Sequence, residues 1–96
     1  MREFLIRRTD GEWFDLHADL FADALRPSSF KVEQVEGWGD HRIRTQGVEI
    51  AFSYEDPGIQ VMLEGDLPQE IAEQIVEEIR LNIERVTGQK GHLVPL

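Results

Sequence analysis

Val48-Glu49-Ile50-Ala51-Phe52-Ser53-Tyr54, then Glu55-Asp56-Pro57-Gly58, then Ile59-Gln60-Val61-Met62-Leu63-Glu64: the fold turns on how this stretch is read. Val48, Ile50, Phe52 and Tyr54 recur every second residue, the period of a strand whose successive side chains point to opposite faces. Ile59, Val61 and Leu63 repeat the pattern after a segment with turn chemistry, in which Pro presets φ and Gly supplies the permissive position. Residues 48–54 and 59–64 are therefore expected to form a hairpin with one face in a core.

A core face needs a second layer, and the sequence supplies one directly downstream. Ile71, Ala72, Ile75, Val76, Ile79, Ile83 and Val86 fall within an arc of roughly 140° when drawn at about 100° per residue. Asp66-Leu67-Pro68-Gln69 reads as the helix start, with Asp66 as cap and Pro68 in the first turn, and Gly88 suits the residue just past its end. The expectation is a two-layer α+β domain: an antiparallel sheet of four to six strands with this long C-terminal amphipathic helix on one face.

Upstream, Phe4-Leu5-Ile6 reads as a strand. Asp10-Gly11 is a hairpin signal, and Glu12-Trp13-Phe14-Asp15-Leu16 is the expected return strand, with Trp13 in the core or on the sheet face. Leu20, Phe21, Ala24 and Leu25 lie at helical spacing, predicting a short helix near residues 18–25, closed by Arg26-Pro27. Phe30-Lys31-Val32-Glu33 and His41-Arg42-Ile43-Arg44 alternate like strands, with Gly37-Trp38-Gly39-Asp40 as the loop between them and Gln46-Gly47 as a turn. Residues 89–96 either lie free or add an edge strand. With 96 residues and no linker or repeat, residues 1–96 are expected to form a single domain.

Composition excludes several chemistries. There is no cysteine, so disulfides, thiolate nucleophiles and cysteine-ligated zinc are ruled out. His17, His41 and His92 are scattered, without a metal-binding spacing, so neither a metal nor a cofactor is expected. Ser28, Ser29 and Ser53 lack the strand–turn–helix setting of a nucleophile, and no glycine-rich phosphate loop is present. No catalytic residues are expected, and the chain does not read as an enzyme. The N-terminal apolar run is far shorter than the roughly 7–15 residues of a secretory signal, and no stretch approaches the roughly 18 apolar residues of a membrane span. A cytoplasmic protein without membrane partners is the expectation.

Charge points elsewhere. The net charge is −9, from 10 basic and 19 acidic residues. Residues 49–96 hold 3 basic and 10 acidic groups, a net −7, so most of the excess lies in the second half. Phosphate contacts need clustered Lys and Arg, so nucleic acid is not an expected partner. Arg7, Arg8, Arg42 and Arg44 would cluster only if the first strand lay beside the strand at 41–44.

Two function classes remain. The first is a small acidic protein-interaction module, in its sharpest form an inhibitor, immunity or antidote protein neutralising a basic partner, because negative potential speeds capture of a cationic target. Its candidate contact residues are Glu70, Glu73, Glu77 and Glu84, which share an arc of roughly 60° opposite the apolar stripe, Leu81 beside them, and Trp38, set between two glycines in a polar loop. The second class is a self-associating structural domain, a homodimer joined through an edge strand and the tail residues Leu93, Val94 and Leu96.

Overall fold

A computed structural model describes residues 2–55 and 58–96. Six strands form one antiparallel sheet: β1 (Arg2–Arg8), β2 (Glu33–Gln34), β3 (His41–Thr45), β4 (Val48–Glu55), β5 (Gly58–Glu64) and β6 (Gly91–Pro95), in the order β2-β3-β4-β5-β1-β6. A 3-10 turn (Ala18–Leu20) runs into the short helix α1 (Phe21–Ala24), and the long helix α2 (Gln69–Thr87) joins β5 to β6. This is the two-layer α+β architecture expected from the sequence, with the sheet open rather than closed.

The hairpin carries the sheet. Ile50 faces Leu63, Phe52 faces Val61 and Tyr54 faces Ile59 across β4 and β5. β1 continues the same face through Phe4 opposite Val61 and Ile6 opposite Ile59. Against it α2 sets Ala72, Ile75, Val76, Ile79 and Ile83, all buried, while Phe14, Leu16, Ala24 and Leu25 close one flank. The stripe read from the sequence is thus the packed face, with Ile71 and Val86 half-buried at its margins. Each fully buried aliphatic side chain there contributes about 1.5–3 kcal/mol relative to exposure.

Several expectations are corrected. Residues 12–16 form no strand. Arg8 to Gly11 do make a tight turn, closed by the Gly11 N–H on the Arg8 carbonyl at 3.0 Å, but the chain does not return along β1. Both edges of β1 are occupied, by β5 and β6, so no ladder position is left. The segment runs extended without a ladder, burying Phe14 and Leu16 and leaving Trp13, Asp15 and His17 outside; Trp13 is 47 % exposed rather than in the core. Of residues 30–33 only Glu33 enters a strand, paired with Arg44, and the ladder ends at Gln34. Asp66 does not cap α2. Pro68 holds that position without a side-chain bond, its carbonyl accepting from the amides of Ile71 and Ala72. Leu67 precedes Pro68 and is thereby biased to extended backbone, so the helix cannot begin earlier. The arginine cluster does not form, because β4 and β5 separate β3 from β1.

Other expectations hold. Gly88 ends α2 at φ 72°, and the tail adds β6 as an edge strand on β1. The turn expected at Glu55-Asp56-Pro57-Gly58 centres on Asp56 and Pro57, which lie outside the described residues. No helix among the described residues is long and apolar enough to cross a membrane.

Candidate functional site

The structure separates the candidate residues onto two sides of the molecule. Glu70, Glu73, Glu77, Leu81 and Glu84 lie on α2, over the core face of the sheet. Trp38 lies with Arg42, which pairs in register with Ala51 and, like Arg44 and its partner Glu49, belongs to the sheet face turned away from the helix. The two sets cannot form a single patch.

On α2 the carboxylates divide into two groups. Glu70 and Glu73 are exposed in the N-terminal half. Glu77 and Glu84, one turn on either side of Arg80, both bond its guanidinium, which holds the Glu77 carboxyl below the usual range. Arg80 also donates to the Gly91 carbonyl at 3.1 Å, and Glu84 accepts from the Gly91 amide at 3.1 Å. These groups therefore tie the helix to β6. Leu81 stands outside this network, 49 % exposed.

That tether closes the edge of the sheet. The Thr9 amide on Lys90 and the Leu96 amide on Glu3 fix which backbone groups of β6 face β1: those of residues 90, 92, 94 and 96. The outward set is Gly91, Leu93 and Pro95. Gly91 is occupied on both groups by Glu84 and Arg80, and Pro95 has no N–H, which leaves Leu93 as the outward donor of β6. At the other edge β2 has two residues only.

Beside Glu73 a shallow groove of about 320 Å³ runs between the start of α2 and the ends of β1 and β6. Phe4, Pro95 and Leu96 supply apolar floor, Glu3 and Glu73 acidic wall, and Arg2 and Gln69 complete the lining. The Arg2 guanidinium donates to the Leu67 carbonyl at 3.0 Å, so this cation is already engaged.

Trp38, 52 % exposed, rests on Arg42, whose guanidinium carbon lies 5.5 Å from the ring centroid. Gly37 and Gly39 bring it there at φ 154° and 106°; a side chain at Gly37 would meet the Arg42 Cδ at 2.5 Å. Arg42 donates to Glu49 at 2.7 Å and Glu64 at 2.5 Å, and Arg44 donates to Glu33 at 2.8 Å and Glu49 at 3.1 Å. The ladder Glu33–Arg44–Glu49–Arg42–Glu64 alternates in sign and retains a single net negative charge, and its two arginines hold the Glu49 carboxyl below its ordinary value. Trp38 therefore presents apolar area on a rigid mount rather than charge.

Sequence reasoning missed a third feature. Trp13 stacks on Tyr54, centroids 5.9 Å apart and planes 19° apart, and Phe21 stacks behind Tyr54 at 5.9 Å. Tyr54 donates its hydroxyl to the Leu16 carbonyl at 2.9 Å, and its amide donates to Asp40 at 2.8 Å. Burial first, then the nearby carboxylates of Asp15 and Asp40, push the Tyr54 hydroxyl up to about 12. A clue lay in the phase of 13–17: Trp13 alternates with Asp15 and His17, Phe14 with Leu16.

The histidines stay apart. His17 reaches Asp15 at 3.5 Å, His41 is buried against Phe21 and Phe52, and His92 is exposed on β6. Among the described residues no group of three potential ligands is placed to hold a metal ion. Ser28 bonds Asn82, and Ser53 bonds Glu55. Comparison with protein-family models, curated proteins and solved structures finds no match.

Proposed function

We propose that this chain is an acidic protein-interaction module that binds a basic protein, in the manner of an inhibitor or antidote covering a cationic surface. The observation that carries the reading is the groove at the head of α2, where the carboxylates of Glu3 and Glu73 border an apolar floor of Phe4, Pro95 and Leu96, and Glu70 stands exposed on the same turns of the helix. Apolar area with an acidic border suits a segment that is both basic and hydrophobic: the apolar contact supplies affinity, and the charge supplies encounter rate and register. Leu81 extends the same helix face, with Glu77 and Glu84 beside it as a half-neutralised continuation. Trp38, on the opposite side, would serve a second contact only with a partner that wraps the domain. The closed edge of β6 weighs against the alternative, a homodimer joined by strand pairing. A cytoplasmic setting belongs to the proposal, since nothing in the chain depends on oxidation.

The test is capture of binding partners from host lysate at low and high salt, with the wild-type chain and with Glu70→Lys/Glu73→Lys. A basic protein held at low salt, released at high salt and lost to the charge-reversed chain is the expected result. Equal capture by both chains, or a stable homo-oligomer with no partner, would overturn it.

A further inference from the structure

We infer that the Trp13–Tyr54 stack, flanked by Asp15 and Asp40, is the seat for an arginine side chain of the basic partner. The inference rests on the reading of this chain as a binder of basic protein, but it assigns a contact away from α2.

Four observations lead to it. Trp13 is a large apolar surface left 47 % exposed, although one side of its ring already lies on Tyr54. The stack is fixed in place. Tyr54 is held by the Leu16 carbonyl and backed by Phe21, and the carbonyl of Trp13 accepts from the Arg8 guanidinium at 2.8 Å. A rigid aromatic platform loses little conformational entropy when it is covered. Two carboxylates lie beside the stack: Asp40 accepts from the Tyr54 amide at 2.8 Å, and Asp15 is two residues from Trp13; after burial, both raise the Tyr54 hydroxyl. Finally, a guanidinium lying on an indole is a geometry this molecule already uses, at Arg42 and Trp38.

Charge complementarity selects a cation over an apolar or acidic side chain, and the flat outer face of the indole favours a planar guanidinium over an ammonium. The nearby cations do not fill the place. Arg8 is engaged with Asp10 and the Trp13 carbonyl, and His17 stands beside Asp15, where it would compete with an incoming cation only once protonated.

The experiment is a titration of the 15N-labelled chain with triarginine peptide, with tricitrulline as the uncharged isostere and trilysine as the alternative cation. The two tryptophans give two indole N–H resonances, assigned with Trp13→Leu. Triarginine is expected to move the Trp13 indole saturably and not that of Trp38. Asp15→Asn should weaken binding several-fold with the rest of the spectrum unchanged, trilysine should bind more weakly, and tricitrulline should leave the Trp13 resonance in place. Movement at Glu70 and Glu73 with Trp13 still would overturn this inference and leave the proposed function standing. A Trp13 shift that tricitrulline reproduces would overturn it as well. No movement anywhere with triarginine would count against both.

Discussion

Arg80 donates to the carbonyl oxygen of Gly91 across the gap between α2 and the outer edge of β6, at 3.1 Å. The same guanidinium holds Glu77 and Glu84, and Glu84 returns to the Gly91 amide. At Gly91 a charged pair on a helix thereby does what a seventh strand would do, satisfying both outward backbone groups of that residue.

Removing that clasp should open the edge. Arg80→Ala with Pro95→Val uncovers the Gly91 carbonyl, removes the cation that holds Glu84 in place, and gives position 95 an N–H. The double variant is expected to lose about 1–2 kcal/mol in urea unfolding, for the lost charge-assisted bonds, and to self-associate in a concentration-dependent way by sedimentation equilibrium. A double variant that remains monomeric would show that the edge is protected by something else.

The helix face that packs and the face that does not should respond differently. Ile79 is fully buried, and Ile79→Ala is expected to destabilise by about 3 kcal/mol. Leu81→Ser, two residues on, should change stability by no more than about 0.5 kcal/mol. Chemical denaturation of both variants checks the assignment, and a large loss at Leu81 would mean that it is covered.

Acid should act through His41. Burial between aromatic rings lowers its proton affinity in the folded chain below the ordinary value of 6.5. The unfolded chain therefore binds the proton first as pH falls. Stability is fully present above about pH 6.5 and declines below it, as far down as the lowered folded value. Denaturation midpoints measured from pH 7.5 to 5 should fall in the wild type and fall less in His41→Phe. Parallel curves would remove His41 from the account.

Arg42 and Trp38 should separate mount from contact. Arg42→Ala leaves Glu49 and Glu64, both partly buried, without their shared cation and is expected to cost about 2 kcal/mol. It should also change the Trp38 emission by freeing the ring. Trp38→Ala, by contrast, should leave stability nearly unchanged. A destabilised Trp38→Ala would mean the indole is a structural lid.

What the sequence revealed follows from where period and environment agree. Residues 48–64 and the stripe from Ile71 to Val86 were legible because each buries a single face against a continuous layer, which leaves a clean period. Alternation at 12–16 was just as real, since Phe14 and Leu16 do share an inward face. It failed as a strand prediction because a ladder needs a free partner, and which edges of β1 are free depends on residues more than fifty positions away. The same long-range pairing hid the strand order and dispersed the arginines. The setting of Trp38 between two glycines in a polar loop leaves both solvent and the core open to it, and the structure places it outside, on Arg42. The place of Trp13 was not legible, because the aromatic that receives it lies 41 residues downstream at Tyr54. On α2, spacing alone sets Arg80 one turn from both Glu77 and Glu84, but nothing in that spacing says that the trio reaches β6.

β1 lies inside the sheet, between β5 and β6, although it is the first strand in the chain. A ribosome delivers its sequence before either neighbour exists. Until residues 58–64 emerge, Phe4 and Ile6 have no ladder to join, and until residues 91–95 emerge one side of β1 stays open. The β4–β5 hairpin can close locally, whereas β1 must wait for almost the whole chain. Synthesis therefore imposes a late closing step, and a nascent chain stalled before β5 would display an unpaired apolar strand of the kind that chaperones hold.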